Sequence, residues 1–196
     1  PKKYRYANKD EWIVLRNLLL DKSKKSNPQL NPKLTGYTPG ETLKMLDNPV
    51  VKEWHREFSE YKVPEFYKII ALVPCAKTKP WYRAERGIYR SYNKIIEEVN
   101  IGVLPLTYLV TISEPLGIVP QSRWHDFPQY DNPGLFKGSA MRSGMYKKDW
   151  ENSPFKNVLE MPYDDEAYKM CIDRLSDVIY SFLEKNKDKR IISFVE

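Results

Sequence analysis

The sequence predicts an α/β protein: a small parallel sheet flanked by helices, with an N-terminal helical extension. Three observations predict it. Residues 66–73 (FYKIIALV), 103–112 (VLPLTYLVTI) and 190–195 (RIISFV) are short, nearly continuous apolar runs rich in β-branched and aromatic residues, the pattern of buried strands. Segments with helical spacing separate them. The resulting strand–helix–strand order is that of βαβ units, with parallel strands and right-handed crossovers.

The elements follow in chain order. Asp10 to Leu20 carries apolar residues from Trp12 to Leu20, with Asn8 or Asp10 as cap, so a first helix is expected. Residues 21–37 (DKSKKSNPQLNPKLTGY) carry Pro, Gly, Asn and Ser and predict a linker. Thr38-Pro39-Gly40-Glu41 fits a capping box, with Pro at the first helical position and a short helix to Leu46. Asn48-Pro49 starts another helix to about Tyr61, with Val50, Trp54 and Phe58 on one face. The strand at 66–73 ends at Pro74, and a helix over 87–99 leads to the strand at 103–112. Residues 113–160 hold five Pro and several Gly, with one helix expected near 139–151; so long an excursion is often functional. Asp164 to Asn186 gives the clearest helix, with Ala167, Met170, Cys171, Leu175, Val178, Ile179 and Phe182 on one face. The expected division is a basic arm and helical extension at 1–62 and an α/β core at 63–196.

Composition narrows the class of protein. The chain has 196 residues, 41% apolar and 30% charged, which suits a globular domain and not a disordered one. No apolar run approaches the ~18 residues of a membrane span, and no signal region stands at residues 1–6, so a cytoplasmic location is expected. Cys75 and Cys171 form neither a disulfide framework nor a metal knuckle, and no metal site or cofactor is expected. The net charge is +6. Residues 1–35 hold nine basic and three acidic side chains, while the rest of the chain balances to zero. Lys2, Lys3, Lys24 and Lys25 in this segment are therefore expected to touch nucleic-acid phosphates, against the simpler reading of a solvated helix and loop.

Ligands of parallel sheets bind beyond the carboxyl ends of the strands, so the loops after Val73 and Ile112 carry the chemistry. Pro74-Cys75-Ala76-Lys77-Thr78-Lys79 follows the first strand. Cations near Cys75 favour its thiolate; the alternative is a small residue shaping a turn. Ser113-Glu114-Pro115-Leu116-Gly117 follows the second. Glu114 is positioned to take a proton or hold an amine, or else to cap the turn. Tyr130 and Asp131 lie just downstream of Arg123, Trp124 and His125, and aromatics beside Arg can stack on an extruded base. His55 falls within an amphipathic helix as a structural residue. Phosphate-binding glycine loops and the GxSxG nucleophile motif are absent.

These segments, with Asp47-Asn48-Pro49-Val50-Val51-Lys52-Glu53-Trp54-His55, Tyr61-Lys62-Val63-Pro64, Leu72-Val73-Pro74-Cys75, Lys79-Pro80, Ser113 to Pro120, Phe127-Pro128 and Tyr130-Asp131, resemble the lysine-adding core domain of archaeosine synthase. The resemblance covers roughly residues 47–135. It implies a fold like that of uracil-DNA glycosylases. It also implies addition of free lysine to 7-cyano-7-deazaguanine in transfer RNA, with a partner enzyme completing the modification and no cofactor. In the family signature Pro74, Cys75, Lys79 and Pro80 match, whereas Trp81 stands at an aromatic position, Ala84 at a Ser and Gly87 at a His. On this resemblance Cys75, Glu114 and Asp131 are the catalytic candidates. Pro74, Lys79, Ser113 and Tyr130 line the substrate, and Arg83 and Arg86 join the N-terminal lysines on phosphate. Cys75 would line the base pocket or attack the nitrile. The alternatives are an enzyme of phage type that joins an amino acid or amine to an activated pyrimidine in DNA, a catalytically inactive module that binds a modified base, and a base-removing glycosylase.

Overall fold

A computed structural model describes residues 5–75, 79, 104–127, 129–135, 158–159 and 161–195. The helices expected at 87–99 and 139–151 lie outside the described residues. So do Lys2, Lys3, Arg83 and Arg86, and the signature positions Pro80, Trp81, Ala84 and Gly87. The chain divides into two compact units, Pro1–Leu46 with Gln129–Ile172, and Asp47–Pro128 with Asp173–Glu196.

In the first unit, strand β1 (Arg5–Tyr6) leads to helix α1 (Lys9–Ser26). Asn8 caps α1: its side chain accepts the Glu11 amide, and the Glu11 carboxylate accepts the Asn8 amide. The helix runs past Leu20 into the segment expected to be a linker. Lysine is a good helix former, and the helix continues to Ser26, with Asn27 as its C-cap before Pro28. Leu15, Leu19 and Leu20 are buried, so the basic segment is anchored through a packed helix. Helix α2 (Pro39–Leu46) starts as expected, with the Glu41 amide donating to Thr38 Oγ1 at 3.2 Å. The Glu41 carboxylate reaches one residue beyond the expected cap, accepting the Tyr37 amide at 2.9 Å, and pairs with Arg16 Nε at 2.9 Å.

The second unit holds helix α3 (Pro49–Ser59), started by Asn48 and Pro49. Its buried face is Val51, Trp54 and Phe58; Val50, expected there, is exposed. The sheet is built from β2 (Ile69–Pro74), β3 (Thr107–Ser113), β4 (Gly117–Pro120) and β6 (Arg190–Ser193), in the order β4-β3-β2-β6. β2 runs parallel to β3 and β6. The expectation of a wholly parallel sheet is corrected here, because β4 returns antiparallel beside β3. Only Glu114 to Leu116 separate the paired residues Ser113 and Gly117, too short for a crossover and enough for a hairpin. Gly117 has φ of +73°, a conformation that glycine adopts without steric cost. The remaining strand, β5 (Val158–Leu159), pairs in parallel with β1 in the first unit.

Helix α4 (Asp165–Lys185) begins in the first unit and ends in the second. Ala167, Cys171, Leu175, Val178 and Phe182 are buried, as their spacing predicts, while Met170 is exposed. A Cβ on Gly117 would stand 3.3 Å from Val178 and 3.8 Å from Leu175. Gly117 pairs with Ser113, so these residues of α4 cover the sheet face that carries Ser113. The structure is thus mixed α/β, a four-stranded mixed sheet flanked by helices. Among the described residues no helix is long and apolar enough to cross a membrane.

Candidate active site at the strand tips

The site grows from register. Pro74 of β2 stands opposite Ile112 of the parallel strand β3. Parallel strands end on the same edge, so Cys75 and the Ser113–Glu114 step leave the sheet beside each other. This is the strand-tip position expected from the sequence. Pro74, Cys75 and Lys79 are half-buried, and Ser113 is buried.

Glu114 directly follows β3 at this edge and is half-buried as a residue. Burial of its carboxyl is the main influence and pushes its pKa above the ordinary carboxylate value. Its own backbone amide and the Lys79 ammonium act in the opposite direction. Desolvation penalises the charged form of a carboxyl, while a nearby cation or amide donor favours it. A carboxyl balanced this way is a stronger proton acceptor once ionised, the property a general base requires.

Two further residues of this unit were not identified as functional from the sequence. Trp54 Nε1 donates to the Ile118 carbonyl at 2.9 Å, and His55 Nε2 lies 2.8 Å from the Pro115 carbonyl oxygen. These consecutive α3 residues thereby hold the chain just after Glu114, one at Pro115 within the turn and one at Ile118 in β4. Their place on an amphipathic helix and in the block that carries the resemblance does not distinguish a packing residue from one bonded to a remote carbonyl.

Tyr130 and Asp131 belong to the first unit. Tyr130 is buried. Asp131 forms a parallel bridge with Thr35; its amide donates to the Leu34 carbonyl and its carbonyl accepts the Gly36 amide, each at 3.1 Å. Its carboxylate accepts the Ser23 hydroxyl at 2.6 Å, and Ser23 Oγ in turn accepts the Tyr37 hydroxyl at 3.0 Å. In this arrangement Asp131 holds local structure. Lys24 and Lys25 are exposed in the last turn of α1. Among the described residues no group of three or more His, Cys, Asp or Glu side chains is placed to hold a metal ion. No protein-family model, curated protein or solved structure matches the chain.

Proposed function

We propose that the protein modifies a nucleic-acid base by joining an amino acid or amine to an activated position on it, with Glu114 handling the proton. The observation that carries this reading is the desolvated Glu114 carboxyl at the strand tips, beside Cys75 and within the field of Lys79. The resemblance to the archaeosine synthase core makes lysine and 7-cyano-7-deazaguanine in transfer RNA the first substrate pair. The ammonium loses a proton to the Glu114 carboxylate. The freed amine forms a C–N bond at the nitrile carbon, and the proton passes from Glu114 to the nitrile nitrogen, giving a protonated amidine with no leaving group and restoring the carboxylate. Cys75 and Pro74 line the base, whereas Ser113 lies buried on the face covered by α4; holding amine and nitrile in line supplies the rate advantage. Exposed Lys24 and Lys25 contribute phosphate contacts. Ala84 and Gly87, at positions where the family signature has Ser and His, favour a second acceptor: an activated pyrimidine in DNA.

Incubation with lysine and nitrile-bearing transfer RNA, followed by nucleoside mass spectrometry, tests the reading. The expected result is a nucleoside heavier by one lysine. A gain only on activated pyrimidine DNA selects the second acceptor. No gain with any amine or nucleic acid rejects the enzyme, and an abasic product replaces it with a glycosylase.

A further inference from the structure

We infer that His55 is a positioning residue, which acts on the reaction through the Pro115 carbonyl by fixing the turn that holds Glu114. The inference rests on Glu114 as the proton-handling group.

A carbonyl oxygen only accepts, so the contact at 2.8 Å requires a proton on His55 Nε2. Burial, the largest influence, holds the His55 pKa below its ordinary value, and the Arg174 charge acts the same way; the bond to Pro115 opposes them. The ring is therefore neutral near neutral pH, and its single proton is committed to Pro115. Pro115 is the residue after Glu114, and its carbonyl belongs to the Pro115–Leu116 peptide, so this bond fixes the second peptide beyond the carboxyl-bearing residue. Trp54 fixes the other limb through Ile118. The turn is closed by the Ile118 amide bonded to the Leu116 carbonyl at 3.0 Å and by the Ser113–Gly117 pairing, and Glu114 directly precedes the Pro115 anchor. Glu114 thus sits on a short turn held from outside by two side chains of one helix. The charged groups acting on this pair are Lys79 on Glu114 and Arg174 on His55. Arg174 is itself bonded to Asp47 at 3.3 Å.

Without the His55 bond the turn loosens, water reaches the carboxyl, and the desolvation that raises its pKa weakens. Glutamine can place an amide N–H near the position of Nε2; alanine cannot. The experiment is a carbon-13 NMR titration of the glutamate carboxyls in the full chain, with Glu114→Gln assigning the resonance, compared in wild type, His55→Ala and His55→Gln. The Glu114 midpoint should fall toward the ordinary carboxylate range in His55→Ala and stay near wild type in His55→Gln. Amine addition should fall on the order of 10–100-fold in the first and recover most of that loss in the second. An unchanged midpoint in folded His55→Ala overturns the inference even where amine addition is observed. A falling midpoint, rescued by Gln, upholds the positioning of Glu114 by His55, and absence of amine addition in wild type then rejects the proposed reaction alone. If His55→Ala does not fold, nitrogen-15 NMR of the wild-type imidazole decides: a proton on Nε2 is expected, and a ring protonated only on Nδ1 overturns it.

Discussion

Asn186 Oδ1 accepts the backbone amide of Val63 at 2.8 Å, which fastens the end of α4 to the segment that leads into β2. The same side chain donates to the Tyr61 carbonyl at 2.9 Å and the Phe182 carbonyl at 2.8 Å. Asn186 is fully buried, so its removal strands three backbone groups. Asn186→Ala should lower the unfolding free energy by about 3 kcal/mol or more. Urea unfolding of the two proteins measures this directly, and a loss below about 1 kcal/mol would mean that water replaces the lost bonds.

Glu114 links stability to pH. Its folded pKa is raised, so the folded chain holds this proton to higher pH than the unfolded chain does. The stabilising contribution is full below the unfolded value and is lost as pH rises through the folded one. Glu114→Gln cannot ionise. It should therefore melt above wild type at about pH 8 and match it at about pH 4. Melting curves at the two pH values check the sign, and a variant less stable at the higher pH would contradict it.

Tyr37 is a second buried titratable residue, and its hydroxyl has a defined partner. Burial raises its pKa above the ordinary tyrosine value, and its hydroxyl donates to Ser23. Tyr37→Phe should cost about 1 kcal/mol, since Ser23 keeps its bond to Asp131. Asp131→Ala removes the acceptor of that Ser23 hydroxyl and should cost about 1–3 kcal/mol. Denaturant midpoints of the two variants rank the terms.

Exposed Lys24 and Lys25 predict a salt effect. If they meet phosphates, the Lys24→Ala, Lys25→Ala pair should weaken nucleic-acid binding and flatten the log–log salt slope by about 0.7–0.9 per lysine. Fluorescence anisotropy across a salt series provides the slope. The paired substitution leaves the buried leucines of α1 in place, which deletion of residues 1–35 would not. A slope equal to wild type would remove both lysines from the interface.

Local signals account for most of what the sequence revealed. Asn8, Thr38 and Asn48 marked helix starts because a side-chain oxygen that accepts a backbone N–H is a local device. The runs around β2 and β3 were legible because buried parallel strands are apolar on both faces. β4 was missed: its four residues are bounded by a glycine and a proline and show no alternation. β1 and β5 escaped because two-residue strands have no period, and their pairing joins Arg5 to Val158. At the strand tips, Glu114 was legible from its place after an apolar run. The His55–Pro115 bond was not, since a helix periodicity does not record which remote carbonyl a side chain meets.

The β1–β5 pairing has a consequence for synthesis. Arg5 and Tyr6 leave the ribosome some 150 residues before their partners Val158 and Leu159. At about 5–20 residues per second, the delay is on the order of ten seconds. During that interval Leu15 and Ala7 lack Val158, with which they form a buried cluster. The pairing of β2 with β3 needs no such wait, because fewer than 50 residues span it. The nascent chain therefore presents an incomplete N-terminal core to chaperones while the first pair of sheet strands can already close, and ribosome stalling before residue 158 should leave α1 open to protease.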